Sequence, residues 1–187
     1  DGGNDGGLAV DASALDCNYY CSTISPVCNG ATTQQYVDNA TCLAMCAGIP
    51  NDAGAGITSG DSLACRMYHL SVAAQSPTSA ETHCPHAGPF GYGQCGDVCQ
   101  DFCEQFFASG SPCKTDTTAY ATADLCRTYC SGAAGSDAGA GAPGNAQTTP
   151  AMLCKQYHLE NAYKTGGNGG GHCDHAGAVS AGGVCPD

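Results

Sequence analysis

Large apolar side chains are scarce in this sequence, with no tryptophan and four phenylalanines among 187 residues, against 27 glycines. A chain of that composition cannot hold itself together by a generous hydrophobic core, and small domains in that position need staples. Positive charge is scarce as well. Five basic residues stand against seventeen acidic ones, for a net charge of −12. That balance speaks against nucleic acid and anionic membranes, which need clustered Lys and Arg, and favours solubility and attraction for cations. No stretch reaches the roughly 18 apolar residues of a membrane-spanning helix. No hydrophobic signal region stands at the start, so the numbering is expected to begin at a mature terminus. The GxSxG, P-loop and dinucleotide fingerprints are missing. No cysteine is followed by histidine, as covalent haem attachment requires. The protein is expected not to be an enzyme.

What the chain has instead is sixteen cysteines. They fall into two runs of eight: Cys17, Cys21, Cys28, Cys42, Cys46, Cys65, Cys84 and Cys95, then Cys99, Cys103, Cys113, Cys126, Cys130, Cys154, Cys173 and Cys185. The intervals are 4, 7, 14, 4, 19, 19, 11 and 4, 10, 13, 4, 24, 19, 12, which marks an internal duplication. An even count at this density reads as a disulfide framework, persistent only in an oxidising compartment, so an extracellular or cell-surface location is expected. Structural zinc sites favour CxxC pairs. Here the tight pairs are CxxxC, a spacing that places both sulfurs on one face of a helix. With the doubled, even count, no free thiol is left over as a nucleophile.

The expected fold is mainly α and disulfide-rich. It comprises a leader or tail at 1–15, one cysteine-rich repeat at 16–95 and a second at 96–187. Each repeat reads as three short helices and a closing loop. The first helix carries Cys17 and Cys21, matched by DVCQDFCEQFF, where Val98, Phe102 and Phe106 recur at helical spacing. The second is NATCLAMC, matched by ATADLCRTYC. The third is SLACRMYHLSVAA, matched by AMLCKQYHLENAY with Pro150 as a start signal. Across an antiparallel CxxxC hairpin the bonds should be Cys17–Cys46 and Cys21–Cys42, then Cys99–Cys130 and Cys103–Cys126; over these segments the arrangement resembles α-hairpinin. The remaining cysteines are expected to pair Cys28–Cys65, Cys113–Cys154, Cys84–Cys95 and Cys173–Cys185, out of the 105 connectivities open to eight cysteines.

All six histidines obey the duplication: His69, His83 and His86 correspond to His158, His172 and His175. Each set lies in one recurring pattern, CRMYHL then HCPHAG in the first repeat and CKQYHL then HCDHAG in the second. A cysteine-anchored helix would carry one imidazole a turn beyond the anchor, and a pinned loop the other two. Three imidazoles converging on one cation suit copper or zinc and leave an open position; non-covalent bis-histidine haem is a lesser alternative. Helix capping, a bond to a loop carbonyl or stacking on tyrosine would account for the same residues without any ligand. Asn39-Ala40-Thr41 is an N-glycosylation sequon, and Thr148, Thr149 and the stretch Ser76–Ser79 are candidate O-glycan sites.

The string CRMYHL…HCPHAGPFGYGQCG, following paired CxxxC segments, resembles a cysteine-rich tandem repeat of secreted and surface proteins of myxobacteria and related bacteria, over nearly the whole of each repeat. The second copy, CDHAGAVSAGGVCP, departs from it by losing the proline and the PFGYG turn. The resemblance brings no activity with it. Two expectations remain. One is a non-enzymatic secreted or cell-surface structural protein, a subunit of an extracellular filament or matrix in which residues 1–15 pack on the next subunit. The other is a metal- or cofactor-binding extracellular protein with one three-histidine site per repeat.

Overall fold

The computed structural model describes residues 10–51, 54–116, 118–134, 143–144, 151–167, 170–178 and 184–185. Among them the regular structure is helical: α1 (Cys17–Val27), α2 (Asn39–Cys46), α3 (Leu63–Ala73) and α4 (Pro77–Ala87), then α5 (Val98–Phe107), α6 (Ala123–Tyr129), α7 (Ala151–Thr165) and α8 (His172–Ala176). Six of the helices begin on a side-chain cap. Asp16, Asp38, Ser62, Ser76, Asp97 and Thr122 each accept a bond from a backbone N–H of the first turn, which satisfies donors the helix leaves orphaned. Residues 10–15 lie against their own repeat. Val10 and Leu15 pack on the core, and the Tyr19 hydroxyl accepts from the Asp11 N–H at 2.8 Å. Residues 1–9, Thr148, Thr149 and Pro150 fall outside the described residues.

Among the described residues each repeat has four α-helices rather than three and a loop, and a π-turn at Cys130–Ala134 follows α6. The added helix is α4 in the first repeat and the short α8 in the second, so His83, Cys84 and His86 sit on a helix. Its signal is the Ser76-Pro77 start: Ser76 caps with Oγ and Pro77 takes the first turn, where its missing N–H costs nothing.

Eight disulfides staple the chain. The α1–α2 hairpin carries Cys17–Cys46 and Cys21–Cys42, and the α5–α6 hairpin carries Cys99–Cys130 and Cys103–Cys126. The other four pairs differ from expectation. Cys28 bonds Cys84, not Cys65, and Cys65 bonds Cys95; likewise Cys113 bonds Cys173 and Cys154 bonds Cys185. The reason is the fourth helix. α3 and α4 pack closely as an antiparallel pair, and α4 brings Cys84 up to the end of α1, leaving Cys65 to hold the chain returning after the PFGYG turn. Each link of this kind contributes about 3–4 kcal/mol in the chain-entropy account.

One hydrophobic cluster runs through both repeats, including Tyr20, Ile24, Met45, Met67 and Leu70 from the first and Phe102, Phe106, Tyr120, Met152 and Leu159 from the second. Polar bonds also cross the boundary. The Val37 N–H donates to Glu160 Oε2 at 2.8 Å, the Tyr92 hydroxyl to Gln156 Oε1 at 3.1 Å, and Gln105 Nε2 to the Met45 carbonyl at 3.2 Å. Tyr92 reaches α7 from the PFGYG turn, where Gly91, Tyr92 and Gly93 all have positive φ (57°, 45° and 77°). At Gly91 a Cβ would strike the Cys95 carbonyl, so only glycine fits.

Candidate metal centres

Three elements build the first cluster. Cys65, bonded to Cys95, anchors α3 and puts His69 one turn later on the same face. α4 carries His83 and His86 three residues apart, hence on one face, with Cys84 between them tied to Cys28. The result is convergence. His69 Nδ1 lies 2.8 Å from His83 Nδ1, and the His69 and His86 ring centroids are 4.8 Å apart. The second repeat reproduces this arrangement: His158 Nδ1 lies 3.0 Å from His172 Nδ1, and the His158–His175 centroids are 4.7 Å apart. In each repeat one nitrogen from all three imidazoles falls within a 4.8 Å spread. His69 and His158 are buried, and the other four are half-buried.

The orientation of the rings bears on what they can do. His69 Nε2 faces the Thr58 carbonyl at 3.2 Å. Donation there fixes the tautomer and leaves the Nδ1 lone pair turned toward His83, the outer-sphere arrangement typical of a ligating histidine. Tyr68 and Tyr157 stand edge-on to His69 and His158 at 5.2 and 5.5 Å. His86 Nδ1 and His175 Nδ1 are buried without a hydrogen-bond partner. A buried polar atom left unpaired is costly, and this one recurs at the same position of both repeats.

Electrostatics agree with the geometry. Burial, helped by the neighbouring imidazoles, holds His86 below the usual imidazole range; burial does the same for His69, with the Thr58 bond opposing and His83 assisting. His172 is lowered by burial and by His175. His158 is pushed down to about 4, mostly by burial and then by His175, His172 and Lys155. These rings are neutral at ordinary pH, the state that coordinates metal. Nitrogens bound to one zinc or copper ion at about 2.0–2.1 Å would sit about 2.9–3.4 Å apart for angles between square and tetrahedral. The Nδ1 pairs at 2.8 and 3.0 Å are close to that range. An all-imidazole set of three suits copper or zinc. The Cys65–Cys95 and Cys154–Cys185 sulfurs lie beside His69 and His158, but as disulfides they offer no thiolate.

The glycine that closes each HCxHAG motif is a close-approach position. A Cβ on Gly88 would run into the Gln35 side chain, and one on Gly177 would meet Ala119 Cα at 2.9 Å. The carbonyls here are held by the basic residue that follows the helix cysteine. Arg66 Nε donates to Gly88 O at 3.1 Å, and Lys155 Nζ donates to Gly177 O at 2.6 Å. Neither anchor was foreseen from the sequence. The available signal was two of only five basic residues at equivalent positions, Cys65-Arg66 and Cys154-Lys155. Of the other expected sites, Asn39 is exposed at the start of α2, while Thr41, the third residue of its sequon, is buried.

Comparison with known sequences touches the first repeat. Residues 12–102 match the BfoA family C-terminal domain. That is just under half of the chain, spanning α1 to α4 and the first half of α5. It includes the first histidine cluster and stops short of the second. No curated protein and no solved structure matches the chain.

The framework of eight disulfides indicates an oxidising, extracellular environment. No described helix is long and apolar enough to cross a membrane. Disulfide-rich small domains of this kind are consistent with an extracellular structural protein.

Proposed function

We propose that this chain is a non-enzymatic, secreted or cell-surface protein whose stapled scaffold presents two transition-metal sites. His69, His83 and His86 hold one copper or zinc ion, and His158, His172 and His175 hold a second. The observation that carries the reading is the paired orphan, His86 Nδ1 and His175 Nδ1, each buried beside two converging imidazoles. Three protein ligands leave one position for water or an exogenous ligand. The role proposed is binding or presentation of the ion, with the scaffold fixing ligand geometry through disulfides.

The test is metal analysis and an absorption spectrum of natively purified material. Two equivalents of copper or zinc per chain support the reading. A Soret band would replace it with haem, and metal at background level after reconstitution with either ion would overturn it.

The scaffold also supports a structural role in a surface layer, matrix or filament. What favours this second reading is the continuous core and covalent stapling of both repeats, which make a stiff building block. Self-association is then expected on native size analysis, and a monomer at every concentration would remove the assembly part while leaving the metal sites untouched.

A further inference from the structure

Another cluster lies at the junction of the repeats, away from the histidines. Residues from both sides line a half-open cavity of about 10 Å³: Gly48, Ile49, Pro50, Asp61, Arg66 and Pro89 from the first repeat, and Asp101, Glu104 and Gln105 from the second. That is about the volume needed for one water or ion. Carboxylate oxygens of Asp61, Asp101 and Glu104 come within 4.8 Å of one another. Arg66 neutralises part of this charge, bonding Asp61 Oδ1 at 2.7 Å and Asp101 Oδ2 at 2.9 Å. Glu104 stands outside that ion pair and brings a further carboxylate to the cavity wall.

Two buried oxygens in the same wall have no partner. Asp101 is 3% exposed and its Oδ1 is unpaired; Gln105 is 4% exposed and its Oε1 is unpaired. The amide of Gln105 is not free to flip at no cost, because its Nε2 donates to the Met45 carbonyl. Every side-chain ligand atom on offer is therefore a hard oxygen, and two are already stripped of water. We infer that this junction is a calcium site, with Asp61, Asp101, Glu104 and Gln105 as its protein ligands. Calcium accepts irregular sets of carboxylate and carbonyl oxygens, whereas magnesium demands near-ideal octahedral geometry and gives up its waters reluctantly. Bound there, the ion ties α5 of the second repeat to the first. The site is independent of the imidazole clusters, whose nitrogen donors suit a softer metal.

The experiment is titration of CaCl2 into the full chain, disulfides intact and stripped with EDTA, followed by calorimetry and by thermal melting. One calcium per chain and a rise in melting temperature over the EDTA sample are expected. Glu104→Gln, a half-buried position outside the Arg66 ion pair, should weaken binding by at least about tenfold through loss of ligand charge, with its melting in EDTA unchanged. Asp61→Asn serves as the second variant should Glu104→Gln fold poorly. The His69→Ala, His158→Ala double variant should bind calcium as the parent does. No calcium response up to 10 mM, roughly tenfold above the weakest extracellular modules, would overturn the site. So would parent-like affinity in the folded carboxylate variants, or magnesium binding as tightly as calcium.

Discussion

Arg66 offers the sharpest test of how the scaffold holds the first metal site. Its five N–H donors are all used: Nε on Gly88 O, Nη1 on Asp61 Oδ1 and Ser62 O, and Nη2 on Pro89 O and Asp101 Oδ2. The side chain is 1% exposed. Arg66→Met keeps most of the volume but leaves Asp101 buried without its counter-ion and three carbonyls without a donor. Breaking a buried pair from one side costs about 3–5 kcal/mol. At 2–4 °C per kcal/mol for a chain of this size, melting should fall by roughly 10 °C. The loss carries a pH signature. Burial raises the Asp101 carboxyl to about 8 even with Arg66 opposing it, and removing Arg66 raises it further. A carboxyl that titrates higher in the folded state favours folding when protonated, so its contribution is lost as pH rises from about 4 through the folded pKa. The parent's Asp101 is itself mostly protonated below pH 8, so the variant's extra loss should stay nearly constant from pH 4 to 7 and grow as pH rises past 8. Thermal melts by circular dichroism, disulfides intact, read both effects. Gly88 lies two residues beyond His86, so metal should also be lost from the first repeat and retained by the second. A variant melting within 2 °C of the parent at pH 8, or no more destabilised at pH 9 than at pH 4, would refute the reasoning.

Removing the Cys28–Cys84 link as a Ser/Ser variant should cost about 4 kcal/mol for its 56-residue separation and should empty the first metal site, because Cys84 lies between His83 and His86; metal analysis beside a denaturant melt checks both. The Cys17–Cys46 variant should cost slightly less, for a separation of 29, and keep both metals. In the metal-free protein His158 should titrate near 4 by NMR, far below the usual imidazole range. Because that folded pKa is lowered, stability from the neutral ring is complete above about 6.5 and declines as pH falls toward 4, and the second site should hold its ion into more acidic solution than unperturbed imidazoles would.

The CxxxC spacing made the helical hairpins and their disulfides legible, since four residues on a helix leave one geometric solution across an antiparallel pair. The histidine pattern was legible for a similar reason: two copies kept the same six residues at matching positions. The four other disulfides were not readable. Their partners depend on α4, and Ser76–Ser79 looked like exposed loop because Ser and Pro serve equally in turns and helix starts. The Thr58 carbonyl behind His69 and the calcium-site wall are products of tertiary packing between segments far apart in sequence. Nothing in the sequence alone marks Arg66 and Lys155 as buried. Their burial follows from carbonyls that the HCxHAG turns expose to the interior.

The central claim is that each repeat holds one metal ion through three histidines. It is tested most directly by titrating Zn2+ into the metal-stripped full chain, at pH 7.5 and with excess calcium present to fill any oxygen site, beside the His69→Ala, His158→Ala double variant. Two equivalents bound by the parent and none by the folded variant are predicted. A parent that binds no zinc or copper, or a double variant that still takes up two equivalents, would contradict the account.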